Sequence, residues 1–134
     1  MDKDIKIETA DPLKILLSGD LPDLRRELPR AKVEVPRLSK AAGVPVVFSL
    51  RALTYSEVSR IQERGGKLSA MILLEGCESP NWKDPALSGE GTGMATPLDA
   101  MKAKLLPGEI EELAVRIQQL SGYLNKVTIE LKNA

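Results

Sequence analysis

The sequence predicts an α+β fold in which an N-terminal β-hairpin packs against a small bundle of about four to five helices. Two runs of alternating apolar and polar residues indicate the strands, because successive side chains of a strand point to opposite faces. Later segments carry the start and stop signals of helices. With one Phe, one Trp and two Tyr in 134 residues, the core must be largely aliphatic, which also favours helices.

Residues 1–30 are predicted to form a loosely ordered N-terminal arm that carries a possible short helix. In "DPLKILLSG", Asp11 suits the cap, Pro12 the first helical position and Gly19 the stop. The following "DLPDLRRELPR" has a proline near each end of a charged segment, which is typical of a tether. The alternative is that this segment is an integral element of the core.

A compact α+β domain is predicted over 31–124, and its first element is a hairpin over 32–52. In "KVEVPRL", Val33 and Val35 alternate with charged residues, and in "VPVVFSLRAL" every second residue of Val46–Ala52 is apolar. The intervening "SKAAG" has the composition of a loop and is predicted to connect the strands. One face of the hairpin is therefore expected to be buried.

Helices are predicted in this domain near 54–64, 67–76, 97–105 and 107–121. Thr54 and Glu57 have the spacing of a capping box, in which each side chain binds the backbone N–H of the other. Thr96 and Pro97 start the third helix, and Pro107 starts the fourth. The second, "KLSAMILLEG", is apolar almost all round, so a buried strand is the alternative. Its Ala, Met and Leu residues favour a buried helix.

The helix that begins at Pro107 carries an apolar stripe that is predicted to face the protein's own core. Its members recur at steps of three and four residues: Ile110, Leu113, Ala114, Ile117, Leu120 and Leu124. Beyond the helix, 125–134 is predicted to be a C-terminal tail. Alternation at Val127, Ile129 and Leu131 also permits a short terminal strand, and both interpretations stay open.

The composition argues against an enzyme, a metal site and a cofactor site. There is no His, and Cys77 is the only cysteine, so the usual ligands of zinc are missing and a Ser or Cys nucleophile lacks its usual base. Cys77 follows an apolar segment and is expected to be a small buried residue. The segment "GEGTG" lacks the spacing and the Lys of a phosphate-binding loop and is predicted to be a flexible loop.

Charge and hydropathy also restrict the partners. The 19 basic and 19 acidic side chains sum to zero, whereas nucleic-acid-binding proteins usually carry a basic excess. No nucleic-acid partner is therefore expected, while a neutral chain permits self-association into a homo-oligomer. Apolar runs such as "MILL" are far below the roughly 20 residues of a membrane helix, and no secretory signal opens the chain. We expect a cytosolic protein without a membrane partner.

Three segments, in this order, resemble one known family: "FSLRALTYSE", "PNWKDPAL" and "LLPGEIEELAVRIQQLSG". In this order and spacing they are similar to the XkdN-like family of phage tail assembly chaperones, known from contractile-tailed PBSX-type phages and prophages, and the resemblance as a whole covers roughly 33–123. The resemblance implies a non-catalytic protein of the bacterial host cytoplasm that binds the tape-measure protein and keeps it soluble. It would leave as the tail-tube protein polymerises and be absent from the mature virion. The alternative function is a structural tail component retained in the particle.

The resemblance further implies that many weakly bound copies coat one long helical client, whose apolar stripes dock into grooves between helices. Met and Trp suit such adaptable apolar contacts. The candidate partner-binding residues are Trp82, Leu87, Met94, Leu98, Met101 and Leu105. Core packing is an equal alternative for the last three, and anchoring onto the core is the favoured alternative for Trp82.

Overall fold

The fold combines six α-helices with one three-stranded antiparallel sheet in residues 9–131, the part of the chain that this computed structural model describes. The predicted α+β class is therefore confirmed. None of the helices in these residues is both long and apolar enough to cross a membrane. In chain order the elements are α1 Pro12–Leu17, β1 Arg30–Glu34, α2 Pro36–Ala42, β2 Val47–Arg51, α3 Tyr55–Arg64, α4 Leu68–Gly76, β3 Cys77–Ser79, α5 Pro97–Lys104 and α6 Pro107–Leu120.

The sheet has the order β1-β2-β3, and both neighbouring pairs run antiparallel. Val33 lies opposite Phe48 in the first pair, and Leu50 lies opposite Cys77 in the second. Phe48 and Leu50 are buried on one face of β2, while Val47 is exposed on the other. The alternation predicted for this strand is confirmed, and it turns one face of the sheet toward the core.

The connection between β1 and β2 differs from the prediction, because the expected loop is helix α2. Pro36 occupies its first turn, where a missing N–H costs nothing, and Gly43 ends it with a φ of 77°. Leu38 packs against the core, and the Ser39 hydroxyl accepts a hydrogen bond of 2.8 Å from the Val46 N–H. The two predicted strands do pair antiparallel, but a helix connects them and β3 adds a third strand, so the predicted hairpin arrangement is not confirmed.

Helix α4 confirms the prediction of a buried helix in "KLSAMILLEG". It packs against α3, α5 and α6, so it needs apolar residues on most of its surface. Ala70 and Leu73 are buried, and Met71 and Ile72 are partly buried. The residue that ends the helix, Gly76, lies directly against α6. A sequence that is apolar all round thus belongs to the central helix of the domain.

Helix α3 begins with the predicted capping box. The Thr54 hydroxyl accepts a hydrogen bond of 3.2 Å from the Glu57 N–H, and the Glu57 carboxylate accepts one of 2.9 Å from the Thr54 N–H. Helix α5 begins in the predicted way, since the Thr96 hydroxyl accepts a bond of 3.1 Å from the Asp99 N–H. These local signals placed both helix starts correctly.

Helix α6 buries most of its predicted stripe, since Ile110, Leu113, Ala114 and Ile117 lie in the core. Leu124 is the exception and is 63% exposed. Helix α6 ends at Leu120, and the chain then turns through Gly122, whose φ is 92°. The helical spacing that placed Leu124 on the stripe is therefore lost before that residue is reached.

The described residues before β1 and after α6 contribute no buried residue to the core. The predicted short helix of the arm forms as α1, and its first residue is Pro12 after the Asp11 cap. In 125–131 the chain forms neither helix nor strand, so the alternative of a terminal strand is wrong for these residues, and Ile129 is 80% exposed. The parts of the predicted arm and tail at 1–8 and 132–134 lie outside the described residues.

Candidate functional site

The residues predicted to bind a partner do not form one exposed surface. Trp82, Met101 and Leu105 lie in the core with exposed fractions of 3%, 0% and 4%. The Trp82 ring meets the Phe48 ring edge-on, with the ring centroids 6.2 Å apart. These three side chains pack in the core and stabilise the domain, which agrees with the alternative given for each of them in the sequence analysis.

The other three predicted contact residues, Leu87, Met94 and Leu98, are each partly buried. Leu87 and Leu98 pack against the core, and the Met94 carbonyl accepts a bond of 2.6 Å from the Gly89 N–H that closes the glycine-rich turn. Contact between the six residues and a partner stays a prediction. It would require the three fully buried side chains to leave the core.

A different part of the molecule has the properties of a docking site. A groove of about 280 Å3 lies between α3, α4 and the C-terminal end of α6. Its apolar lining consists of Leu53, Val58, Ile61, Leu68, Ile72 and Leu124. Its polar lining consists of Gln62, Gln118, Ser121 and Tyr123, so the described residues that line the groove include no charged side chain. We refer to this feature as the apolar groove.

The apolar groove continues into a second hollow beneath the N-terminal arm. This arm cleft has a volume of about 590 Å3 and shares Leu53 and Val58 with the apolar groove. The arm contributes Leu24, Arg25, Leu28 and Pro29 to its lining, and helix α3 contributes Tyr55, which is 87% exposed. The two hollows therefore form one continuous, largely apolar surface. Concave surface with a mostly apolar lining is typical of binding sites.

Hydrogen bonds fix the position of the chain segments around the apolar groove. The Leu53 N–H donates to the Ser121 hydroxyl at 2.9 Å, and that hydroxyl donates to the Ile117 carbonyl at 2.7 Å. The Tyr123 N–H then donates to the Gln118 carbonyl at 2.8 Å as the chain leaves α6. The end of α6 is thus tied to the segment that leads into α3, and the walls of the groove are preformed.

An ion pair holds the first turn of α3 against β2. The Arg51 guanidinium donates two hydrogen bonds, of 2.8 and 2.7 Å, to the two Glu57 carboxylate oxygens. This pairing, helped by the Thr54 N–H, lowers the pKa of Glu57 from its usual value of 4.5 to about 2. Glu57 therefore stays ionised well into the acidic range, and the helix cap stays intact with it.

The Glu57→Gln variant is expected to lower the free energy of unfolding by about 1 kcal/mol at neutral pH, because charge-assisted bonds become neutral ones and water still screens the pair. Because the pKa of Glu57 is lower in the folded state, the ionic contribution is complete above the unfolded pKa and disappears as the pH falls toward about 2. The difference between wild type and variant should shrink from about pH 5 to about pH 2 in urea unfolding. Glu63→Gln, on an exposed carboxylate of α3, is the control. A difference independent of pH would contradict the assignment.

The described residues offer few side chains that could bind a metal ion or act as a nucleophile. Within 9–131 there is no group of three or more His, Cys, Asp or Glu side chains that could hold a metal ion. Cys77 is 5% exposed, and burial raises the pKa of its thiol to about 12, so it remains a thiol at neutral pH. The prediction that Cys77 is a small buried residue is confirmed.

Sequence reasoning missed the apolar groove because its walls come from separate segments. Val58 and Ile61 lie three residues apart on α3, and Val58 is partly exposed whereas Ile61 is buried. Leu68 follows the turn after α3, and Leu124 follows the turn after α6. A usable signal was the position of Gly122, two residues after the end of α6, where the chain turns and leaves the apolar residues that follow outside the core.

Comparison with known proteins supports both the fold and the family. The crystal structure of the protein yqbn matches with a TM-score of 0.59 at 20% sequence identity, covering 87% of this chain and 99% of that one. At that identity the likeness shows the fold alone. No curated protein matches the sequence. The sequence model described as "Phage XkdN-like tail assembly chaperone protein, TAC" matches residues 14–133. Since this match covers most of the sequence and agrees with the resemblance carried by its three segments, the chain belongs to the XkdN-like family of phage tail assembly chaperones.

Proposed function

We propose that this tail assembly chaperone binds the phage tape-measure protein in its apolar groove and keeps that client soluble while the tail tube assembles. It acts by contact, without catalysing a reaction, in the cytoplasm of the bacterial host, and it leaves before the particle is complete. The observation that carries the proposal is the preformed, uncharged apolar groove between α3, α4 and α6. A chaperone of an elongated helical client needs a surface of this kind.

The lining of the groove suits one face of an amphipathic helix. Helices that dock into grooves insert apolar residues spaced three and four positions apart, and the aliphatic lining offers them dispersion contacts and removal from water. Leu68 at 46% exposure and Leu124 at 63% leave apolar area that a docked helix would cover. The uncharged amides of Gln62 and Gln118 offer hydrogen bonds to its polar edge.

The absence of charge among the described lining residues determines how this binding should respond to salt. Association based on apolar burial is weakened little by salt, whereas exposed ion pairs are screened within about 10 Å at 0.1 M ionic strength. Each contact area is small, so affinity for a long client must come from many copies bound along it. Weak individual contacts also allow the chaperone to be displaced as tube subunits arrive.

The proposal is tested with Leu68→Glu, which places an unpaired charge where the client's apolar face would dock. Because a buried unpaired charge is costly, we expect the variant to reduce the affinity for the client by about tenfold or more, that is by about 1.4 kcal/mol or more. The tagged chain would be co-produced with the tape-measure protein of the same phage. The soluble client would be quantified, and the copies per client determined by light scattering.

Val115→Glu is the matched control, because Val115 is a helical residue of similar exposure, 40%, that lies outside the apolar groove. It should leave the affinity within about twofold. Equal losses in both variants, or a client that stays insoluble with the wild-type chain, would contradict the proposal. Finding the chain in purified particles would instead support a structural tail component.

A further inference from the structure

Helix α1 has the sequence signals of a helix start, but none of its residues is buried. The Asp11 carboxylate accepts a hydrogen bond of 3.1 Å from the Leu13 N–H, and Pro12 fills the first turn. Leu13, Leu16 and Leu17 share one face of the helix, and their exposed fractions are 61%, 71% and 76%. An isolated helix needs roughly 12–15 residues to be even marginally stable in water, and α1 has 6. A surface that covers its leucine face would therefore stabilise this helix.

The arm that carries α1 already runs along the surface described above. Leu24 and Leu28 line the arm cleft, which is continuous with the apolar groove. The end of α1 is separated from Leu24 by only the six residues 18–23. A segment of this length spans up to about 20 Å when extended, at about 3.3–3.6 Å per residue. Helix α1 can therefore reach the apolar groove while the rest of the domain stays in place.

We propose that α1 docks into the apolar groove of its own chain when no client is bound and that the client displaces it. The leucine face of α1 has the three- and four-residue spacing of a groove-bound helix, and both it and the groove lining are uncharged. We refer to this displaceable helix as the lid, and the exposed α1 of this structure is its open state. The displacement step rests on the proposed function, whereas docking of α1 does not.

The tether selects the chain's own α1 over that of a second copy. A short flexible linker gives an effective concentration in the millimolar range, far above the concentration of separate chains in a dilute solution. A six-residue helix makes a weak contact, so it would occupy the groove when tethered and yield to a longer client helix. The lid would thus cover the apolar groove and limit aggregation of the free chaperone.

A disulfide test detects the docked state without any client. Lys14→Cys places a thiol at the edge of the leucine face, and Gln62→Cys places one on the wall of the apolar groove. Mild oxidation of the double variant should form an intrachain bond, seen as a faster-migrating monomer on a non-reducing gel and confirmed by peptide mass spectrometry. The buried Cys77 thiol should not compete.

The control pairs Lys14→Cys with Glu112→Cys, an exposed α6 position that faces the cleft beside α2. This control pair should form its disulfide at no more than about one tenth of the rate of the first pair. Adding Leu16→Glu to the first pair should abolish its bond, because the leucine face can no longer dock. Three results would contradict docking of α1 in the apolar groove. They are equal rates of disulfide formation in both pairs, disulfides formed only between chains, and an intrachain disulfide that still forms with Leu16→Glu. Client binding is measured separately, so a failed lid leaves the proposed function standing, and a failed client assay leaves the lid standing.

Discussion

The Gly76→Ala variant is expected to have a free energy of unfolding lower by about 2 kcal/mol, although alanine is a better helix former than glycine. A Cβ on Gly76 would lie 2.7 Å from both the Cδ1 and the Cγ2 atoms of Ile117 and 3.1 Å from the Arg51 carbonyl oxygen. The gain in helix propensity is at most about 1 kcal/mol. Overpacking costs about 1–3 kcal/mol or more, and Ile117, with no exposed surface, has little room to move. The steric cost therefore exceeds the gain.

A double-mutant cycle tests whether this close approach is the cause. Ile117→Ala alone should cost about 3 kcal/mol, because it leaves a cavity at a fully buried position. It also removes the two atoms that the new methyl group would meet. The variant with both substitutions should therefore lose at least about 1 kcal/mol less than the sum of the single losses. Urea unfolding followed by far-UV circular dichroism gives the three values. Additive losses would contradict the steric explanation.

The parts of the fold that could be predicted from sequence are those that short-range chemistry determines. The starts of α3 and α5 depend on hydrogen bonds between Thr54 and Glu57 and between Thr96 and Asp99, all within three residues along the chain. The burial of Phe48 and Leu50 follows from strand alternation. The connection after β1 was predicted to be a loop, but Pro36, which cannot continue a strand, starts helix α2 there.

The parts that could not be predicted depend on contacts between distant segments. Strand β3 has three residues, of which only Cys77 is buried, so it carries no periodic signal and exists because it pairs with β2. The apolar groove likewise exists only when Leu53, Val58 and Leu124 are brought together. The family resemblance pointed to apolar docking, but it gave no means of separating docking residues from core residues.

The Trp82→Ala variant is expected to be among the most destabilised single variants, with a free energy of unfolding lower by about 4 kcal/mol. Trp82 is 3% exposed and packs edge-on against Phe48, so its removal leaves a large cavity next to the sheet. An aromatic pair of this geometry adds about 0.5–1.5 kcal/mol beyond the area it buries. Far-UV circular dichroism during urea unfolding is the suitable measurement, since the variant lacks the only Trp of the chain.

Trp82→Phe is the matched control, because it keeps an aromatic ring against Phe48. The indole N–H of Trp82 forms no hydrogen bond of ordinary geometry with a described residue, and the weakly accepting Cys77 sulfur is beside it. Losing that N–H should therefore cost little, and the phenylalanine variant should lose only about 1–2 kcal/mol through its smaller volume. If Trp82 served the client instead of the core, Trp82→Ala would keep its stability and lose binding. A chain destabilised by alanine but largely restored by phenylalanine would identify Trp82 as the anchor that holds the segment between β3 and α5 against β2.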